Sequence, residues 1–129
     1  MDSQSVLVVD DHEDIVESFQ LLLEDEGWRV FTAYSGSQAL EIIKTEEIDL
    51  VLLDFMLPGM RGDKLTKELR KVSPELCIVL ITGYSDYSNQ AQQIDELVNQ
   101  VLIKPVNEKT LLEKINECRM LKTEKMRGN

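Results

Sequence analysis

Asp49-Leu50-Val51-Leu52-Leu53-Asp54-Phe55-Met56-Leu57-Pro58-Gly59 is the stretch that decides the fold. Leu50 to Leu53 form an unbroken aliphatic run of strand length. Such a run suits a strand covered on both faces, not one with a wet side. A carboxylate, Asp54, ends the run, and Pro58-Gly59 closes regular structure soon after. Taken alone, Asp54 reads as a turn or cap residue. At the end of a buried parallel strand it has a second reading, because ligands of open α/β sheets bind at the carboxyl ends of the strands.

The same grammar repeats on either side. Val6 to Val9 is a short apolar run ending in Asp10-Asp11. From His12 to about Glu26 the period becomes helical, with Ile15, Val16, Phe19, Leu22 and Leu23 on one face, and Gly27 suits the end of that helix. Trp28 to Ala33 reads as a second strand, and Ser35 with Gln38 as the capping box of a second helix, whose stripe is Ala39, Leu40, Ile42 and Ile43. Beyond the central stretch, Asp63 is the expected cap of a third helix with Leu65, Leu69 and Val72 inward, broken at Ser73-Pro74. Cys77 to Ile81 is the fourth strand, ending in Thr82-Gly83. A polar helix is expected from about Ser85 to Leu97, its apolar positions being Ala91, Ile94, Leu97 and Val98. Val101 to Ile103 is the fifth strand, ending in Lys104-Pro105. Asn107 is placed to cap a last helix carrying Leu111, Leu112, Ile115 and Cys118, and the polar tail from about Lys122 is expected to fray.

Strict strand–helix alternation predicts an α/β fold, a doubly wound five-stranded parallel sheet with helices on both faces. At 129 residues the chain suits a single domain, 1–129, and is too short for a (β/α)8 barrel. A net charge of −10 disfavours nucleic-acid binding by this domain alone. Cys77 and Cys118 lack metal-like spacing, and with one histidine, His12, they make no zinc site; Cys77 reads as a buried thiol. The start, Met-Asp-Ser-Gln-Ser, has no leader pattern and no run reaches membrane-spanning length, so a cytoplasmic protein without membrane contacts is expected.

Four of the five expected strands end in groups able to do chemistry: Asp10 and Asp11, Asp54, Thr82, and Lys104. Three converging carboxylates repel one another, and a divalent cation relieves that. Magnesium takes oxygen ligands and keeps waters for a phosphate. The charges then balance, about −3 from the acids against about +3 from Mg²⁺ and Lys104. Lysine suits phosphate, and a threonine hydroxyl can donate to a phosphoryl oxygen. Together these groups describe a carboxylate nucleophile that receives a phosphoryl group.

This set, with Leu57-Pro58 and Gly62 beyond Asp54, resembles the receiver domain of two-component response regulators over about residues 4–121. The resemblance implies a flavodoxin-like fold with strand order 2-1-3-4-5. It implies that Asp54 is phosphorylated by a sensor histidine kinase or a histidine phosphotransfer protein, within a two-component or phosphorelay pathway. It also implies Mg²⁺ held by Asp11, Asp54 and the backbone carbonyl of Met56, with Asp10 acting mainly through water. Thr82 and the amide of Gly83 would hold the phosphoryl oxygens, Lys104 would pair with them, and the Lys104–Pro105 bond would be cis. Signalling would pass through the fourth helix, fifth strand and fifth helix to a downstream protein target, with Tyr84, Tyr87 and Val101 as contact residues. Three positions depart from the family: Val101 replaces an aromatic common three residues before the lysine, Met56 replaces a polar residue, and Arg61 stands where an acid is common.

Two enzyme or cofactor readings fare worse. A Mg²⁺-dependent aspartyl-phosphate phosphatase needs an acid two residues after the nucleophile, where Met56 stands. A flavodoxin needs a hydroxyl- and glycine-rich phosphate loop after the first strand, where the anionic Asp10-Asp11-His12-Glu13 would repel the flavin phosphate. A receiver-like module that binds partners without phosphorylation is the remaining alternative.

Overall fold

The computed structural model describes residues 4–127, with side chains up to Arg119. Three strands are buried from end to end: β1 (Ser5–Val9), β3 (Leu50–Asp54) and β4 (Cys77–Thr82). These are the continuous apolar runs, and they lie in the middle of the sheet. The outer strands, β2 (Arg29–Ala33) and β5 (Gln100–Ile103), have exposed or half-buried positions. All pairings are parallel, and the order is β2-β1-β3-β4-β5. Both the fold class and the strand order match the expectation.

Alternate strand residues feed two cores. Leu7, Val9, Val51, Leu53, Ile78 and Leu80 face one side. There they meet α2 (Gly36–Thr45), α3 (Gly62–Val72) and α4 (Tyr84–Leu97) through Ala39, Ile43, Leu65, Leu69 and Ile94. Val6, Val8, Leu50, Leu52, Cys77, Val79 and Ile81 face the other side. Here α1 (Glu13–Asp25) and α5 (Glu108–Arg127) contribute Val16, Leu23, Leu111, Ile115 and Cys118. Each large side chain so buried stabilises the fold by about 1.5–3 kcal/mol before its entropy loss. Cys77 is a buried thiol, as expected, and its Sγ donates to the carbonyl oxygen of Cys118 at 3.2 Å.

The helix starts follow the sequence at two places. Ser35 Oγ accepts from the Gln38 N–H at 3.2 Å, while Gln38 Oε1 accepts from the Tyr34 N–H at 2.8 Å. Asn107 Oδ1 accepts from the N–H groups of Lys109 and Thr110 at 2.8 and 3.2 Å. Gly27 takes a positive φ of 92° just past α1, a conformation other residues adopt at a cost.

Elsewhere the structure differs. Asp63 does not cap α3: Arg61 holds the N-cap position, and Asp63 lies in the first turn, with Oδ1 3.4 Å from Arg61 Nε. A carboxylate there favours the helix N-terminus without being the cap. The first residue of α3, Gly62, sits against the residue that follows β3: its N–H donates to the Phe55 carbonyl at 2.7 Å, and a Cβ on Gly62 would lie 2.7 Å from the Phe55 Cα. Ile15 and Val72, expected on the inward stripes of α1 and α3, are 38% and 41% exposed. Helix α5 carries on to Arg127, past the point where fraying is expected, and the tail's side chains lie outside the described residues. Among the described residues no helix is long and apolar enough to cross a membrane.

Candidate functional site at the carboxyl ends of the strands

Parallel pairing brings the strand ends to one edge. Val9 is level with Leu53, Asp54 with Ile81, and Thr82 with Ile103. Residues that follow these positions therefore converge: Asp10 and Asp11 after β1, Asp54 at the end of β3, Thr82 at the end of β4, and Lys104 after β5. Asp10 is fixed to the sheet by its N–H, which donates to the Ala33 carbonyl at 3.2 Å. Its side chain accepts from the His12 N–H at 2.9 Å, a local turn that starts α1.

Asp54 is 3% exposed. Its Oδ1 accepts from the Met56 N–H at 3.1 Å, and Lys104 Nζ donates to Oδ2 and Oδ1 at 3.1 and 3.3 Å. Burial raises the Asp54 pKa above the ordinary carboxylate value; the Met56 N–H and Lys104 oppose this, and the Asp10 charge adds to it. Lys104 reaches the carboxylate from a cis Lys104–Pro105 corner, as expected. Its N–H donates to the Thr82 carbonyl at 2.9 Å, tying the two strand ends together.

Thr82 and Gly83 are at the same edge, with the Thr82 hydroxyl turned to the Gly83 carbonyl rather than to Asp54. Thr82 is buried, and its Oγ1 is 3.3 Å from the Gly83 carbonyl oxygen. Gly83 is the N-cap of α4, so its neighbouring amides begin a helix facing the site. Met56 is 56% exposed and extends away from the core.

One residue was missed by sequence reasoning. His12 Nδ1 lies 2.8 Å from Asp10 Oδ1 and 3.3 Å from Asp11 Oδ1. Asp10, Asp11, His12 and Asp54 each present one ligating atom, all within 4.8 Å of one another. The hydrogen bond to Asp10, followed by the charges of Asp11 and Asp10, raises the His12 pKa above its ordinary value. The Asp-Asp-His order at a strand end carries the signal, while the distance from His12 to the two cysteines points away from a metal role. The donor set, three carboxylates and an imidazole, fits a divalent cation.

The response regulator receiver domain model matches residues 6–116. The chain therefore belongs to the response regulator receiver domain family. Its fold is similar to a CheY-like receiver domain protein from Methanospirillum hungatei, at 31% identity and a TM-score of 0.89, covering 96% of this chain and 99% of that one. A receiver domain protein from Clostridium thermocellum is 30% identical with a TM-score of 0.85, over 93% and 97% of the two chains. The response regulator TrrA from Thermotoga maritima, in complex with Mg²⁺–BeF, is 32% identical with a TM-score of 0.80, over 89% and 98%. Receiver domains are signalling switches, and two-component signalling is the setting of this family.

Proposed function

We propose that this chain is a phospho-accepting switch, with Asp54 as the acceptor in a Mg²⁺-dependent reaction. The observation that carries the reading is the placement of the nearly buried Asp54 carboxylate 3.1 Å from Lys104 Nζ, inside the Asp10–Asp11–His12 cluster. Asp11, Asp54 and the Met56 carbonyl would hold the cation, with Asp10 orienting its water. Bound there, Mg²⁺ supplies positive charge that offsets the acids and the incoming phosphoryl oxygens.

An Asp54 carboxylate oxygen attacks the phosphorus of a phosphohistidine on a sensor kinase or phosphotransfer protein. The P–O bond forms as the P–N bond breaks, and the electron pair leaves with the imidazole. Lys104 turns from the carboxylate to a phosphoryl oxygen. Thr82 Oγ1 leaves the Gly83 carbonyl and donates to another, as does the Gly83 N–H. An open groove of about 620 Å³ beside the site, lined by Ile15, Phe19, Lys104, Pro105 and Val106, offers a surface for the donor. The TrrA complex with Mg²⁺–BeF supports the same chemistry by similarity.

Thr82 movement is passed directly to α4, which starts at the next residue but one, and so to β5 and α5. Titrating beryllofluoride with Mg²⁺ into ¹⁵N-labelled protein tests this: amides of Thr82, Gly83 and α4 should shift. Spectra that stay unchanged under saturating reagent would instead favour a receiver-like module that binds partners without phosphorylation.

A further inference from the structure

We propose that His12 is an additional ligand of the divalent-cation site and tilts its selectivity away from Mg²⁺ towards Mn²⁺ and zinc-like ions. The inference rests on the reading above that the acids at this edge hold a cation. It concerns what this chain adds to that site.

Neighbouring ligands of one octahedral ion, with bonds of about 2.1 Å, lie roughly 3 Å apart along an edge and roughly 4.2 Å apart across it. His12 Nδ1 sits 3.3 Å from an oxygen of Asp11, a ligand in the reading above, close to one such edge; its 2.8 Å contact is to the Asp10 oxygen, the partner it would give up to the ion. The four ligating atoms fall within 4.8 Å of one another, close to the span of a single ion. The ring is fixed from its own backbone: His12 is the N-cap of α1 in extended conformation, and its N–H is held by Asp10 at 2.9 Å. The imidazole therefore reaches the cluster without rearrangement of the chain. The side chain is 60% exposed, so little packing opposes the small turn that exchanges Asp10 for a cation.

The chemistry of the donor follows. Mg²⁺ prefers oxygen and sheds water reluctantly, whereas imidazole suits Fe²⁺, Ni²⁺ and Zn²⁺; among first-row divalent ions Mn²⁺ is the weakest binder of such a site, so it sets the lower bound of the preference over Mg²⁺ and Zn²⁺ shows it most strongly. The neutral ring is the ligand, so binding releases any proton on Nδ1. A histidine that only steadied Asp10 by hydrogen bonding would help every cation alike. A ligating histidine separates them.

The test measures Mn²⁺ binding by electron paramagnetic resonance, with Mg²⁺ as competitor, in mildly alkaline buffer. Wild type is compared with His12→Asn and His12→Ala. The ratio of Mn²⁺ to Mg²⁺ affinity is expected to fall roughly tenfold or more in both variants while Mg²⁺ affinity changes little. Since His12 is the only histidine, the imidazole ¹⁵N spectrum also reports it alone. Zn²⁺ should shift one ring nitrogen to a metal-bound position in wild type, and this shift should vanish in Asp11→Asn. An unchanged affinity ratio, or a parallel loss for both ions, overturns the proposal and leaves the Mg²⁺ switch intact. Failure of Mg²⁺ and Mn²⁺ to bind wild type at all would bring down the switch reading itself.

Discussion

Helices α3 and α4 pack on the same face of the sheet, one after the other in the chain, yet they are held in different ways. Helix α3 buries Gly62, Leu65, Thr66 and Leu69 in one stripe. Helix α4 is longer and buries only Ile94. Its backbone is interrupted at Gln90, with φ −136° and ψ 21°. Polar contacts stand in for packing. Arg61 donates to the Gln90 side chain, Arg70 Nε donates to the Leu97 carbonyl at 3.1 Å, and Tyr87 Oη donates to Asp95 Oδ1 at 3.0 Å. Helix α3 is thus part of the body of the fold, whereas α4 is held more by polar contacts than by apolar packing. A switch needs both: Asp54 sits on the rigid strand, and Thr82-Gly83 lead into the loosely held helix.

The sharpest way to break this contrast is in the core. Leu69→Ala leaves a cavity in the α3 stripe and is expected to cost about 3 kcal/mol in urea unfolding. If it costs no more than a surface change, α3 is not the anchor that its burial suggests. A smaller effect comes from Asp54. Its folded pKa is raised, mainly by burial, so the folded protein holds that proton more tightly than the unfolded chain. Metal-free protein should therefore lose stability as pH rises from the ordinary aspartate value through the raised one. The Asp54→Asn variant should lack this component, and Mg²⁺ should suppress it; urea midpoints across pH read both. Weakest is Tyr87→Phe, which removes the exposed hydrogen bond to Asp95 that spans the break in α4. Hydrogen exchange should quicken between residues 88 and 96, with the global urea midpoint unchanged. A global loss there would mean that α4 is as integral as α3.

What the sequence revealed follows the same division. Strands β1, β3 and β4 were legible because burial on both faces demands continuous apolar runs, and little else competes. Their polar ends were legible because a carboxylate, hydroxyl or amine closing such a run is conspicuous. Asn107 and Ser35 were readable as caps because their hydrogen bonds are local. The rest depends on tertiary contacts. Asp63 resembles a cap in sequence, but the helix starts two residues earlier, with Arg61 as its N-cap and Gly62 close against Phe55. Ile15 has helical spacing with Val16 and Phe19, yet it faces the open groove beside Lys104. The break at Gln90 has no Pro or Gly to announce it; the partners of Tyr87, Gln90 and Leu97 lie on other turns and on α3. His12 was hidden because its partners are its own neighbours, which spacing rules pass over.

The central claim is that Asp54 accepts a phosphoryl group with the help of the ion held beside it. Intact mass after incubation with acetyl phosphate tests it most directly, with and without Mg²⁺, in wild type and Asp54→Asn. One phosphoryl adduct on wild type, dependent on Mg²⁺ and missing from the variant, is the predicted result. An unmodified wild type, or the same adduct on Asp54→Asn, would contradict the account.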